Sequence, residues 1–282
     1  MGRQRLMDKR EQLMKTEQNA PSVTPRMPRG AAAVYSAACM TAPAPPFPPA
    51  PWQASTRLRL REFAAHDVDD LVRMHRDPRV RAQLVDDLPL DEPATAQRFI
   101  AGLQDFYRRH EGRGIWCAER ALPPDPETLA EARQAHADGE IGDALLALVE
   151  APEWRFCGWF SLVQVLGDEP EIEIGARLQP DAWGGTLALD GGDWLLRRAF
   201  GELGRERVFG YCDPANRSAA HCLRVLGFSA TGLAPYNGGQ AAQFRLQRAD
   251  WLAWQQLPRR AQLRHALAQA QPRFSAPANR CA

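Results

Sequence analysis

Apolar and polar positions alternate in two places along the chain, at Leu58-Arg59-Leu60-Arg61 and across Glu171–Leu178, and each reads as a half-buried strand. Between them the spacing turns helical. Val68, Leu71, Val72 and Met74-His75 lie one turn apart after His66-Asp67, which offers an N-cap, and Asp77-Pro78 ends that helix. Phe99, Leu103 and Phe106 mark one face of a second helix over Thr95–Arg109. Gly114–Glu119 reads as a strand. The polar stretch Pro123–Gly139 reads as an inserted loop holding a helical turn or more. Ala144–Val149 and Phe156–Val165 are apolar runs joined by Ala151-Pro152-Glu153, the pattern of a hairpin. Downstream the pattern predicts a helix over Thr186–Leu203 and a strand over Arg207–Cys212. A helix over Ser218–Leu226 follows, closed by Gly227, then strands at Phe228–Gly232 and Gln243–Gln247. Helices packed on a mostly antiparallel sheet make an α+β class.

The ends differ from this body. Residues 1–18 read as a short charged helix, and residues 21–55 are rich in Pro and Ala without apolar period, so 1–55 is expected to be a disordered leader. Nothing before Met40 carries a packing pattern, which leaves Met40 as an alternative start to Met1. The body is expected over 56–257, with an insertion at about 121–143 and a basic, helical or frayed tail over 258–282.

Charge sharpens that division. The formal net charge of the whole is +1, but residues 1–54 carry +4, residues 258–282 carry +5 and the body carries −8. An acidic body disfavours phosphate-backbone binding, so nucleic acid is not an expected partner of the core. Basic residues are almost all arginine, and with abundant Ala and Pro this points to a high-GC bacterial genome. No apolar run reaches the ~18–20 residues that span a bilayer, and no secretory pattern opens the chain, so a cytoplasmic protein without a membrane partner is expected. The six cysteines and six histidines are scattered, with neither a C-x-x-C nor an H-E-x-x-H, and no metal is expected.

Candidate chemistry concentrates after Glu171. The strand Glu171–Leu178 runs through Pro180-Asp181-Ala182-Trp183-Gly184-Gly185 into a helix start at Thr186-Leu187-Ala188. A helix start presents unpaired N–H groups and a positive dipole end, and two glycines let an anion approach the main chain, the logic of a phosphate cradle. A plain strand–helix connection has the same pattern. Asp213-Pro214-Ala215-Asn216 before Ser218, with Leu226-Gly227-Phe228 after it, frames a capped helix.

Taken in order, these segments resemble the GNAT superfamily of acyl-CoA-dependent N-acetyltransferases, and most closely its ribosomal-protein N-terminal acetyltransferase branch. Thr56-Arg57-Leu58-x-Leu60-Arg61 is similar to that branch's opening strand, Glu173-Ile174-Gly175 to its fourth strand, and Pro180-x-x-Trp183-Gly184 to its pyrophosphate loop. Asp213-Pro214-x-Asn216 and Leu226-Gly227-Phe228 resemble its last motif, and Phe244-Arg245-Leu246 with Asp250-Trp251 its closing strand. The likeness runs from about Thr56 to Trp254.

The resemblance implies a sheet of six or seven strands with a splay between the fourth and fifth, where acetyl-CoA inserts. Backbone amides at Trp183, Gly184, Gly185, Thr186, Leu187 and Ala188 would hold the diphosphate, main chain from Ile174 to Leu178 would pair with the pantetheine, and Asn216 would touch the CoA arm. Acetyl transfer would go directly to a primary amine, on a protein N-terminus or a small molecule; a catalytically silent module that binds acyl-CoA or a partner is the alternative. Glu171 and Glu173, on one face at i and i+2, are the candidate bases and are equally readable as solvated strand carboxylates. Ser218 is the candidate acid. The chain departs from the family at Gly185, where a basic residue is usual, at Thr186, where the second glycine is usual, and at Asp181, an acid beside an anion site. The family's tyrosine acid falls on Leu223, and Ala219 stands where the branch often has Ser.

Overall fold

The alternation at the start of the body becomes two short strands, β1 (Trp52–Ser55) and β2 (Leu58–Arg61), with Leu58 and Leu60 buried on one side. The structure is a computed structural model and describes residues 51–85, 88–165 and 171–268. The leader up to residue 50, its charged helix and the tail beyond residue 268 lie outside the described residues. Strand β1 falls in the last residues of the expected leader.

After β2 come α1 (Val68–Arg76), α2 (Pro78–Arg81), α3 (Pro93–Arg109), β3 (Gly114–Leu122), α4 (Pro126–Ala137), α5 (Asp143–Glu150), β4 (Glu153–Gln164) and β5 (Ile172–Leu178). Then follow α6 (Leu187–Arg197), β6 (Arg207–Cys212), α7 (Arg217–Val225), β7 (Ser229–Tyr236), β8 (Gly239–Gln247), α8 (Arg248–Gln255) and α9 (Arg259–Ala268). The strands form one sheet in the order β1-β2-β3-β4-β5-β6-β8-β7, antiparallel at β1–β2, β2–β3, β4–β5, β6–β8 and β7–β8, and parallel only at β5–β6 among the pairings described. The class is α+β as the sequence predicts. The sheet has eight strands, since β1 adds one.

The pleat sends alternate residues to two separate cores. Phe160, Leu162, Ile172, Ile174, Val208, Phe244 and Leu246 meet Leu195 and Leu196 of α6 and Leu223 of α7 on one face. Cys117 and Trp159 meet Leu71, Val72 and Met74 of α1 and Ile100 and Leu103 of α3 on the other. Helix α6 lies so close to the sheet that a Cβ added at Gly191 would run into the Phe160 ring. The expected cap at Asp67 takes another form. Its carboxylate, 1% exposed, accepts from Ala64 N at 2.8 Å and from both terminal nitrogens of Arg61 at 2.7 and 2.6 Å, while Arg61 Nε donates to Glu119 at 3.0 Å. This ties β2 and β3 to the start of α1.

Contacts divide the chain into two compact units, and residues 121–155 belong to the smaller. The helical turn or more expected in the insertion is α4, about three turns long. Asp125 caps α4 by accepting from Thr128 N at 3.0 Å. The hairpin expected over 144–165 is overturned: Asp143–Glu150 is α5, and only the second apolar run is a strand. A run of Ala and Leu behind an acidic first turn favours helix, and periodicity alone does not separate a buried strand from a buried helix segment. Among the described residues, no helix is long and apolar enough to cross a membrane.

Candidate active site

The sheet forks at its parallel joint. Strands β5 and β6 pair at Ile172↔Val208, Glu173↔Phe209 and Ile174↔Gly210, and there the pairing stops. On its other edge β5 stays paired with β4 as far as Gly158↔Leu178. One edge of Gly175–Leu178 is thus open along a cavity of about 460 Å³. Gly175–Leu178 form one wall of the cavity, and Tyr211 with Ala215–Ala219 the other. Ala188, Gly192 and Leu195 of α6 and Cys222, Leu223 and Leu226 around α7 close it. An open strand edge facing a cavity offers main-chain donors and acceptors to an extended ligand. The fork is the splay expected between the fourth and fifth strands, moved one place in the count by β1.

Of the expected cradle, Trp183 and Ala188 line this cavity; Gly184, Gly185, Thr186 and Leu187 are not among its lining, and Thr186 lines a second cavity with Arg57 and Asp190. A single turn of 3₁₀ helix at Pro180–Ala182 leads to Trp183, which is 45% exposed and donates its indole N–H to Leu178 O at 2.8 Å. The ring therefore spans the loop rather than filling core. Gly184 has φ +76 with open space around it, a conformation that side chains resist. The first helical bonds of α6 run from Leu189 N and Asp190 N to Thr186 O, so the N–H groups of Leu187 and Ala188 precede the ladder.

Two arginines, neither a candidate site residue in the sequence, adjust the charge here. Arg120 donates to the Asp181 carboxylate at 2.6 Å and to its carbonyl at 2.8 Å, which neutralises the acid beside the loop. Arg57, from the β1–β2 turn and 58% exposed, donates to Thr186 Oγ1 and lies 3.3 Å from Asp190.

The two candidate bases separate. Glu171 is held by Arg207, whose Nε donates to both carboxylate oxygens at 3.0 and 3.1 Å. Glu173 accepts from the Tyr236 hydroxyl at 2.8 Å, and its other oxygen is buried with no hydrogen-bond partner among the described residues. Burial pushes the Glu173 carboxyl up to about 7, against a smaller lowering by the Tyr236 hydrogen bond. Tyr236 stacks on Tyr211 with ring centroids 4.5 Å apart. Glu173, Phe209 and Tyr211 share a sheet face with Arg177, whose guanidinium lies 4.6 Å from the Trp159 centroid and donates to the buried His75. His75 Nδ1 lies 2.7 Å from Leu71 O, so the ring is held with Nδ1 as donor and Nε2 as acceptor. Asn216 caps α7 by accepting from Ala219 N at 3.0 Å and also lines the cavity; Ser218 lines it from the exposed first turn of α7. Ile174 and Leu178 line it from β5.

Residues 57–229 match the family described as the acetyltransferase (GNAT) domain. Among solved structures, the chain is similar to a T. thermophilus protein described as an acetyltransferase, at 19% identity over 73% of this chain and 93% of that one, with a TM-score of 0.50. It is similar also to the ribosomal-protein-S5-alanine acetyltransferase of Vibrio fischeri, at 13% identity over 72% and 99%, with a TM-score of 0.50. At these identities the likeness is one of fold.

Proposed function

The chain belongs to the GNAT acetyltransferase family, and from that premise we propose that it transfers the acetyl group of acetyl-CoA to a primary amine, on a protein N-terminus or a small molecule, by direct attack. The observation that carries this reading is the fork: the pairing of β5 and β6 ends at Ile174↔Gly210, one residue past Glu173. The pantetheine arm would lie along Gly175–Leu178, and the diphosphate would meet the N–H groups from Trp183 to Ala188, with Asn216 beside the arm. Glu173 takes a proton from the substrate ammonium, the amine attacks the thioester carbonyl, and the C–S bond breaks without an enzyme-bound acyl group. A carboxyl with a midpoint of about 7 divides its time between base and acid near neutrality, which suits this step.

Calorimetric titration with acetyl-CoA, followed by free-thiol release across a panel of amines and short peptides with free N-termini, tests the reading. Saturable binding and turnover above the uncatalysed rate are expected. Binding without turnover returns the silent acyl-CoA-binding module, and no binding at millimolar acetyl-CoA overturns both.

A further inference from the structure

Resting on the acyl-transfer reading above, we propose that Tyr211 is the general acid that protonates the departing sulfur of coenzyme A. Tyr211 is the first residue of β6 beyond the last β5–β6 pair, Ile174↔Gly210, and it lines the cavity at the crotch of the fork. The other candidates are worse placed. The α7 position where a tyrosine is usual holds Leu223, an apolar side chain packed so tightly that a Cβ at Gly210 would lie 2.7 Å from it. Ser218 is exposed on the first turn of α7.

The surroundings of Tyr211 set its position. Its ring stacks between Phe209, 6.3 Å away, and Tyr236, 4.5 Å away. Gln243 Nε2 donates to its hydroxyl oxygen at 3.0 Å, and Thr231 Oγ1 fixes that amide by donating to Gln243 Oε1 at 2.7 Å. The accepted bond fixes the hydroxyl oxygen in place over β8. Tyr236, stacked on this ring, donates to Glu173, so acid and base meet across one pair of aromatic rings.

The proton account closes. The substrate ammonium gives one proton to Glu173 and becomes the nucleophile. Its lone pair forms the C–N bond, and the C–S electron pair leaves on sulfur, which takes the Tyr211 phenol proton. The second proton shed by nitrogen restores the phenol, and the proton on Glu173 passes to solvent. The products are an amide, a neutral thiol and one released proton.

The test uses the full chain, acetyl-CoA and the best amine from the thiol-release panel. Tyr211→Phe keeps the ring and removes the proton. Its kcat is expected to fall about 10²-fold, with the CoA dissociation constant measured by calorimetry unchanged within about twofold and the alkaline limb of the kcat–pH profile lost. Gln243→Leu, a second variant should the first misfold, removes the bond that holds the Tyr211 hydroxyl and is expected to lower kcat severalfold with the CoA dissociation constant again unchanged within about twofold. Turnover by the unaltered protein together with a Tyr211→Phe profile of the same height and shape overturns the proposal alone, as does an unchanged kcat in Gln243→Leu. So does the loss appearing in Ser218→Ala and not in Tyr211→Phe. An unaltered protein without turnover overturns the acyl-transfer reading and this proposal with it.

Discussion

Tyr236 donates its hydroxyl proton to one oxygen of Glu173 at 2.8 Å, while the other oxygen of the same carboxylate is buried without a hydrogen-bond partner among the described residues. A buried lone pair left unsatisfied is costly unless something uses it. In a base, the open oxygen is the one that receives a proton. Glu173→Gln is therefore expected to lower kcat by about 10²–10⁴-fold, the usual worth of general-base catalysis. The unaltered kcat/KM should decline as pH falls through about 7, where Glu173 takes up its proton. Glu171→Gln, which removes only the carboxylate held by Arg207, is expected to leave that limb where it is. Initial rates of thiol release from mildly acidic to mildly alkaline pH check both.

The same carboxylate makes a stability prediction of opposite sense. Its folded midpoint of about 7 lies above the ordinary 4.5. The folded state thus binds the proton more tightly than the unfolded chain. Glu173 contributes stability that is fully present below about pH 4.5 and is lost as pH rises through about 7. Glu173→Gln removes the buried charge at high pH and changes little at low pH. Its melting temperature is expected to exceed that of the unaltered protein at about pH 8 and to match it near pH 5. Equal differences at the two values would sink the linkage.

Tyr236→Phe separates positioning from folding. The lost hydroxyl is the group that lowers the Glu173 midpoint, so the acid limb of kcat/KM is expected to move to higher pH. The stacked ring and its packing on Tyr211 remain. A purely structural role for Tyr236 would lower the melting temperature and leave the limb in place.

Much of this architecture is legible in the chain, and the reason is local. Alternation at Leu58–Arg61 and Glu171–Leu178, and the glycines at 184 and 227, are properties of a few adjacent residues, and they locate both arms of the cavity and the loop after β5. What the chain hides comes from contacts between segments distant in sequence. Ala144–Val149 reads as a strand because six apolar residues carry no period that separates strand from helix. Glu171 and Glu173 look alike in sequence; Arg207 and Tyr236, 36 and 63 residues away, tell them apart. Tyr211 carries one weak signal, its alternation with Phe209 on a short strand. Nothing adjacent to Asp181 announces that Arg120 neutralises it.

Two glycines separate stability from binding. A Cβ at Gly191 meets the Phe160 ring. Gly191→Ala is expected to destabilise by about 1–3 kcal/mol, the cost of overpacking. A Cβ at Gly184 meets nothing within 4 Å, but the residue sits at φ +76. Gly184→Ala is expected to cost roughly 1–2 kcal/mol in backbone strain, or to relax the turn and weaken acetyl-CoA binding. Denaturant melts and calorimetry on the two variants distinguish them: Gly191→Ala loses stability with the CoA dissociation constant unchanged in the folded fraction.

Arg57 gives the last prediction. Its guanidinium is anchored on Thr186 at the first turn of α6 and lies 3.3 Å from Asp190, which also accepts from Ser55 Oγ at 2.8 Å. So placed, it supplies a cation beside the N–H groups of Leu187 and Ala188, where the loop itself has none. A charge-assisted hydrogen bond to a diphosphate oxygen is worth about 1.5–3 kcal/mol. Arg57→Ala is therefore expected to raise the KM for acetyl-CoA by about tenfold or more with kcat within about twofold. Arg57→Lys should recover only part of the loss, since a point charge lacks the planar fork that holds Thr186 and an anion together. S-acetylpantetheine, which lacks the diphosphate, should bind the unaltered protein and Arg57→Ala equally; a difference there would place Arg57 in the folding of the β1–β2 turn rather than in binding.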